Sequence, residues 1–380
     1  MYRWIDKQNQ KVCKRITLKY FLGNCGHIAY ALDKSFYILY LRRLLLILLS
    51  LLSFKVSIFK TFGRILSRRS FSLSASYDRS VKYTIFKEFL WNLFGHAYFA
   101  PEELQPMLSE KQIMSHRLTF KEFEYPLISI IIPLYNQLPY TFNCLLSLTR
   151  YLSLNTPYEI IIINDCSTDN TSAFMTSNIT GITYIENEQN LGFLDSCNKA
   201  ASAARGQYIC FLNNDTQIHP GWLDNLIATI AQDETVGCVG SKLIFPNGLL
   251  QEAGGIIFND GSSGRYGSLQ NVAFLEFNIA KEVDYCSGAS LLIRKSDFDK
   301  IGGFDQRYKP AYYEDTDLCM ACKYLLNKKV IYQPLSVLIH FERISSTGGQ
   351  INTNLENNKK IFRQKWKKEL MKHEINAGLK

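Results

Sequence analysis

Four short apolar runs, Leu127 to Ile132, Glu159 to Ile163, Ile182 to Ile185 and Tyr208 to Leu212, recur through the middle of the chain with helical text between them. Each is brief, rich in β-branched residues and apolar at successive positions, the pattern of a strand covered on both faces. Their spacing of roughly 25–30 residues is that of βαβ units, so the expected class is α/β with a mostly parallel, doubly wound sheet.

Ligands of such sheets sit beyond the carboxyl ends of the strands. The first run ends in Pro133-Leu134-Tyr135-Asn136, the second in Asn164-Asp165-Cys166-Ser167-Thr168-Asp169 and the fourth in Asn213-Asn214-Asp215. Ser167 to Asp169 are placed to cap the next helix, but capping does not account for polar groups delivered by separate strands. No GxGxxG loop and no Walker lysine loop occurs, which removes the main support for a dinucleotide or P-loop site. Asp215 and its neighbours are oxygen donors of the type that suits a divalent cation, Mn²⁺ or Mg²⁺.

Further along, Tyr285-Cys286-Ser287-Gly288-Ala289-Ser290 opens the apolar run Leu291 to Ile293, and Gly302-Gly303-Phe304-Asp305 follows. Tyr313-Glu314-Asp315-Thr316-Asp317 leads into a helix. There Glu314 and Asp317 share one face while Asp315 points elsewhere, so the acids divide between a general base and a brace. Val337 to Ile339 is a short apolar run that delivers His340, for which ligand and structural roles stand equal.

Charge is divided sharply along the chain. Residues 1–125 carry 20 basic and 9 acidic side chains, residues 126–343 carry 15 and 22, and residues 344–380 carry 8 and 3. A basic arm and a basic tail thus flank an acidic middle, the arrangement of a chemical domain whose ends meet an anionic surface. The ten cysteines follow no disulfide spacing and mostly lie in apolar runs, as reduced buried thiols do in a cytosolic protein. Cys319 and Cys322 form a CxxC pair, but they share an apolar helical stripe with Leu318, Leu325 and Leu326, which favours core packing over a metal. Met1 to Gln10 lack the apolar core of a secretory signal, so the expected location is cytoplasmic, peripheral on the inner face of the membrane.

The arm contains Leu44 to Phe54, an apolar segment bounded by Arg43 and Lys55. As a helix it covers only ~17 Å, short of the ~30 Å core of a bilayer. Arg42, Arg43, Lys60, Arg64 and Arg68 fall on one helical side, and Leu41, Leu44, Leu48, Leu52, Phe59, Phe62 and Leu66 on the other. That face suits an anionic membrane interface, or equally packing on its own domain or on a second copy of the chain. The basic residues interleave with Leu rather than with exposed aromatics, so no nucleic-acid partner is expected. Residues 70–125, with a short helix predicted over Val81 to Leu93 and breaks at Pro101 and Pro106, form a connector.

Taken in order, ISIIIPLYN, IIIINDCSTDNT, NLGF, FLNNDT, CSGASLLIR, GGFD, YYEDTDLC and IHFE resemble glycosyltransferase family 2, whose members have the GT-A fold. The likeness covers about residues 126 to 343. The tail Asn358 to Leu370, with Phe362, Trp366 and Leu370 at helical spacing, looks like the closing segment of bacterial polysaccharide-assembly members. QEAGGIIFNDGS and VDYCSGASLLIR are similar to O-antigen and rhamnan-type gene products. The resemblance implies a GT-A catalytic domain (126–343) and a helical tail (344–380); the basic, helical arm and connector (1–125) lie outside it and rest on charge and amphipathicity alone.

The same resemblance implies the roles. Pro133, Tyr135, Asn136, Asp165, Asn190, Gly192, Asn213 and Asn214 would bind the nucleotide sugar, with Asp165 reading the base. Asp215 and His340 would hold the metal, and Asp315 would be the catalytic base with Glu314 as its competitor. The implied reaction is inverting, metal-dependent transfer from a nucleotide-sugar donor to a glycan or lipid-linked acceptor of the cell surface. Asn164 and Asn213 stand where the family often has acids, and an amide oxygen retains acceptor capacity there. Against this reading stand a non-catalytic nucleotide-sugar-binding scaffold and a nucleotidyltransferase, although PLYNQLP offers no Gly-rich phosphate loop. The oligomeric state is left open.

Overall fold

The structure is a computed structural model and describes residues 104–342 and 348–376. The expected arm helix over Leu41 to Arg68 and the helix over Val81 to Leu93 lie outside the described residues. Among the described residues no helix is long and apolar enough to cross a membrane.

Ten strands form the main sheet: β1 (Ile128–Leu134), β2 (Tyr158–Asn164), β3 (Thr183–Glu186), β4 (Tyr208–Leu212), β5 (Thr216–Ile218), β6 (Val236–Ile244), β7 (Leu250–Glu252), β8 (Lys281–Glu282), β9 (Ser290–Arg294) and β10 (Lys329–His340). Their order is β8-β10-β6-β9-β4-β1-β2-β3, with β5 paired to β10 and β7 to β6. The flanking helices are α1 (Leu138–Tyr151), α2 (Thr171–Asn178), α3 (Phe193–Ser202), α4 (Trp222–Gln232), α5 (Lys295–Ile301), α6 (Glu314–Tyr324) and α7 (Gly348–Lys365).

The four predicted runs form the parallel half, in which β1 pairs β2 with Ile128 opposite Tyr158, β1 pairs β4, and β2 pairs β3. β9 then enters antiparallel between β4 and β6, with Ser290 opposite Leu212. The reversal has a useful consequence: the start of β9 and the end of β4 lie at the same edge. β10 runs parallel to β6 and carries His340 to that edge as well.

Every residue of β1 and β2 is buried, because helices cover both faces. Side chains alternate across the sheet. Ile130, Ile132, Ile160 and Ile162 therefore join Phe142, Leu145, Trp222 and Leu226 on one side. Ile131, Ile161 and Ile163 join Leu194, Phe211, Phe304 and Leu318 on the other, where Phe362, Trp366 and Leu370 of the tail complete the layer. The tail is thus part of the domain's core. Cys319 and Cys322 are buried there too, and all eight described cysteines are free.

Asp317 ties the tail to α6. Its buried carboxylate accepts from Tyr308 Oη at 2.9 Å, Trp366 Nε1 at 2.7 Å and Lys365 Nζ at 2.7 Å. Asp317→Ala strands the buried Tyr308 and Trp366 donors, while Lys365 keeps its second partner Asp305 at 2.8 Å, and is expected to cost about 2–4 kcal/mol. A lower urea midpoint with an unchanged m value would show that loss.

Candidate functional site

The carboxyl ends of β1, β2, β4 and β10, together with the start of β9, meet at one edge of the sheet. Two loops there are locked to each other. Asn136, in the left-handed region at φ 54°, donates its N–H to Ser167 Oγ at 2.7 Å. Its side-chain oxygen accepts from the Thr168 N–H at 2.7 Å. Asp169 accepts from the N–H of Thr171 in α2 and of Leu138 in α1, so the expected capping falls to Asp169 while Ser167 serves the neighbouring loop. Pro133 is buried in β1, and Tyr135 is exposed just beyond it.

Asp165 is buried and organises the next loop. Its oxygens accept from Leu191 N–H at 2.7 Å, Gly192 N–H at 2.8 Å and Asn187 Nδ2 at 2.9 Å. In this structure its carboxylate is committed to holding residues 187–192. Asn190 donates to the Asp165 carbonyl at 3.4 Å. Gly192 has φ 83°, and a Cβ there would come within 3.2 Å of Pro310, so only glycine lets the loop close on that segment. Asn164 is spent internally on Tyr184, Glu186 and the Ser167 amide.

On the other side of β4, Asp215 and His340 are both buried and lie together, with Oδ1 3.2 Å from Nε2. Asn213 Nδ2 is 3.4 Å from the same Nε2, and Asn214 is turned away to donate to Thr141 Oγ1 in α1 at 2.8 Å. The imidazole tautomer follows from its far side. Glu342, paired with Arg265, accepts from Gln251 Nε2 at 3.1 Å, so the Gln251 amide oxygen faces His340 Nδ1 at 3.0 Å. Nδ1 then donates to Gln251, and Nε2 faces the Asp215 carboxylate. Asn213 Oδ1 is buried there with no partner. A buried acceptor of this kind is unfavourable until a donor or a cation meets it.

Three acids lie at the amino end of α6. Asp317 is the brace described above. Asp315 is partly exposed and accepts from the Gly288 N–H at 2.9 Å and the Thr316 N–H at 2.6 Å; burial is the main reason its pKa is raised. Glu314 is buried, its Oε2 has no partner, and burial followed by the charge of Asp315 pushes it up to about 8.

Two participants were not singled out from the sequence. Glu252, at the end of β7, accepts from the Ser287 N–H at 2.9 Å and is raised to about 7 by burial. The successive amides of Ser287 and Gly288 thus end on Glu252 and Asp315. Gln251 precedes it and orients His340. Both belong to the QEAGG segment, and their partners are too distant in the chain for spacing to reveal them. Among the described residues no group of three or more His, Cys, Asp or Glu side chains gathers as a metal site.

The model of glycosyl transferase family 2 matches residues 129–302. A protein of Sinorhizobium fredii, y4gI, is 28% identical over 58% of this chain and 25% of its own length. The O-antigen biosynthesis protein RfbC of Myxococcus xanthus is 28% identical over 52% of this chain and 16% of its own. The chain therefore spans a quarter or less of either relative. Among solved structures, GalNAc-T7 with UDP, GalNAc and Mn²⁺ aligns with a TM-score of 0.52 at 16% identity, over 63% of this chain and 48% of that one. The fold, the strand-end motifs and the match agree: residues 129–302 are similar to glycosyl transferase family 2, and the domain that contains them has the GT-A fold.

Proposed function

We propose that this chain is an inverting, metal-dependent glycosyltransferase, moving a sugar from a nucleotide-sugar donor to a hydroxyl of a growing cell-surface polysaccharide or lipid-linked glycan. One observation carries the reading. Asn213 donates its backbone N–H to the Ala289 carbonyl at 3.0 Å, and Asp315 accepts from the N–H of Gly288. Asn213, which neighbours the Asp215–His340 pair, and Asp315 thus bond to adjacent residues of one turn, an arrangement that suits a leaving-group side and an acceptor side.

The residues present fit a divalent cation. Asp215 supplies a carboxylate oxygen, His340 an inward lone pair and Asn213 an unpaired amide oxygen, leaving positions for diphosphate oxygens and water. Bound there, the cation supplies charge neutralisation at the departing diphosphate. Pro133, Tyr135, Asn136, Asn190 and Gly192 border the nucleotide, with Asp165 acting through the loop it holds and Asn214 bracing α1 from behind. Asp315 takes the proton of the acceptor hydroxyl as it attacks from the opposite face, which inverts the anomeric centre. Glu314 is buried while Asp315 is partly exposed beside Gly288, which favours Asp315 as the base.

The name of the Myxococcus relative supports a polysaccharide product. The basic residues 1–125 would bring the catalytic domain and its tail to an anionic membrane surface that holds the acceptor. The test is transfer from a panel of nucleotide sugars to a lipid-linked glycan extract, with the product analysed by proton NMR. The expected product has an anomeric configuration opposite to that of the donor. Retention would remove the single-base mechanism, and binding without transfer to any acceptor would favour a scaffold.

A further inference from the structure

We infer that Asn358, on the carboxy-terminal helix α7, is a positioning residue for Asp315. The inference rests on the transferase reading, with Asp315 as base, and concerns residues beyond the 129–302 family match.

Tyr312 and Tyr313 immediately precede the acids and have φ of 80° and 73°. Two successive aromatic residues in the left-handed region are sterically disfavoured and persist only where their surroundings hold them. Asn358 provides that hold. It is 3% exposed, and its Nδ2 reaches the carbonyls of Tyr308 at 2.8 Å, Ala311 at 3.0 Å and Tyr312 at 2.8 Å. One amide group thus gathers three carbonyls that run up to the turn.

The rest of the same helix face completes the mount. Phe362, four residues on, packs its ring 5.2 Å from that of Tyr313, whose hydroxyl donates to the Gly261 carbonyl at 3.0 Å. Lys365 and Trp366, one turn further, bind Asp317. The segment is therefore gripped just before and just after Asp315. This turn sends Glu314 inward and sets Asp315 against the Gly288 N–H. Loosening it would move the base relative to the donor, with a smaller effect on the nucleotide side, which meets this segment only where Gly192 approaches Pro310.

The test compares Asn358→Ala and Asn358→Ser with Leu370→Ala, which removes a buried tail side chain remote from the turn in sequence. The readouts are amide hydrogen exchange of residues 311–316 in the protein alone, and kcat and Kd for the nucleotide sugar that the wild type turns over. Expected for Asn358→Ala are faster exchange confined to 311–316, a fall in kcat of about 100-fold from misplacement of the base, and a donor Kd changed by no more than a few-fold. Asn358→Ser, which keeps one donor, should lie between, and Leu370→Ala should lower the melting temperature without these effects. Uniformly faster exchange, or a kcat loss that follows melting temperature across all three variants, would overturn the proposal. If Asn358→Ala does not fold, Asn358→Ser decides on the same criteria. Absence of turnover by the wild type would instead defeat the transferase reading, and the exchange pattern would still decide whether Asn358 holds the turn.

Discussion

Asp315→Asn is expected to lower kcat by about 10²–10⁴-fold, the usual contribution of a positioned general base. The amide is nearly isosteric and keeps one oxygen, which can still accept from the Gly288 or the Thr316 N–H although not from both, and neither bond involves the residues assigned to the nucleotide, so donor Kd should hardly change. A fall in kcat and kcat/KM together marks an interaction made in the transition state. Glu314→Gln is the paired control. Glu314 is buried and pushed up to about 8, so near neutral pH the wild type already carries a neutral side chain there, and turnover should stay within a few-fold. If Glu314 were the base, the two variants would exchange places.

The same group sets a pH dependence of stability. The pKa of Glu314 rises from 4.5 to about 8 on folding, so the folded protein keeps a proton that the unfolded chain releases. Its contribution is complete below about pH 4.5 and is lost as pH rises through about 8. Urea midpoints measured across that window should fall less steeply in Glu314→Gln than in the wild type. Parallel profiles would show that the carboxyl is not held neutral.

Asp215→Ala and His340→Ala are each expected to abolish detectable Mn²⁺ binding, followed by the electron paramagnetic resonance of the free ion. Each removes one of the two strongest donors, and the rest of the shell is an amide oxygen, water and the diphosphate itself. Gln251→Leu tests the layer behind them. Without its amide oxygen, nothing keeps the proton on His340 Nδ1, and a loss of about 10–100-fold in Mn²⁺ affinity is expected. Equal Mn²⁺ titrations for all variants would place the metal elsewhere.

Much of this architecture was readable before the structure because the strands of a covered parallel sheet are apolar almost without interruption. The runs at Ile130, Ile161 and Phe211 needed no alternation to be recognised. The direction of β9 was not readable, since SLLIR is equally buried in either orientation. Helical spacing separated Asp315 from Glu314 and Asp317, and the structure places the latter two inward. The hydrogen bonds of Asp165 were not readable, because their donors are backbone amides of a loop 26 and 27 residues away. Asn358 carries no local signal at all. Its partners are main-chain carbonyls 46 to 50 residues back, and nothing in sequence distinguishes it from any other polar residue of a helix.

The central claim is that the Asp215–His340 pair and Asp315 act on one nucleotide sugar. Release of nucleoside diphosphate from a donor panel, in Mn²⁺ and in EDTA, tests it most directly when the wild type is compared with Asp215→Ala and Asp315→Asn. The account predicts metal-dependent release from one donor in the wild type and its loss in both variants. Release that survives in either variant, or a donor that binds the wild type without release in the presence of any acceptor extract, would contradict it.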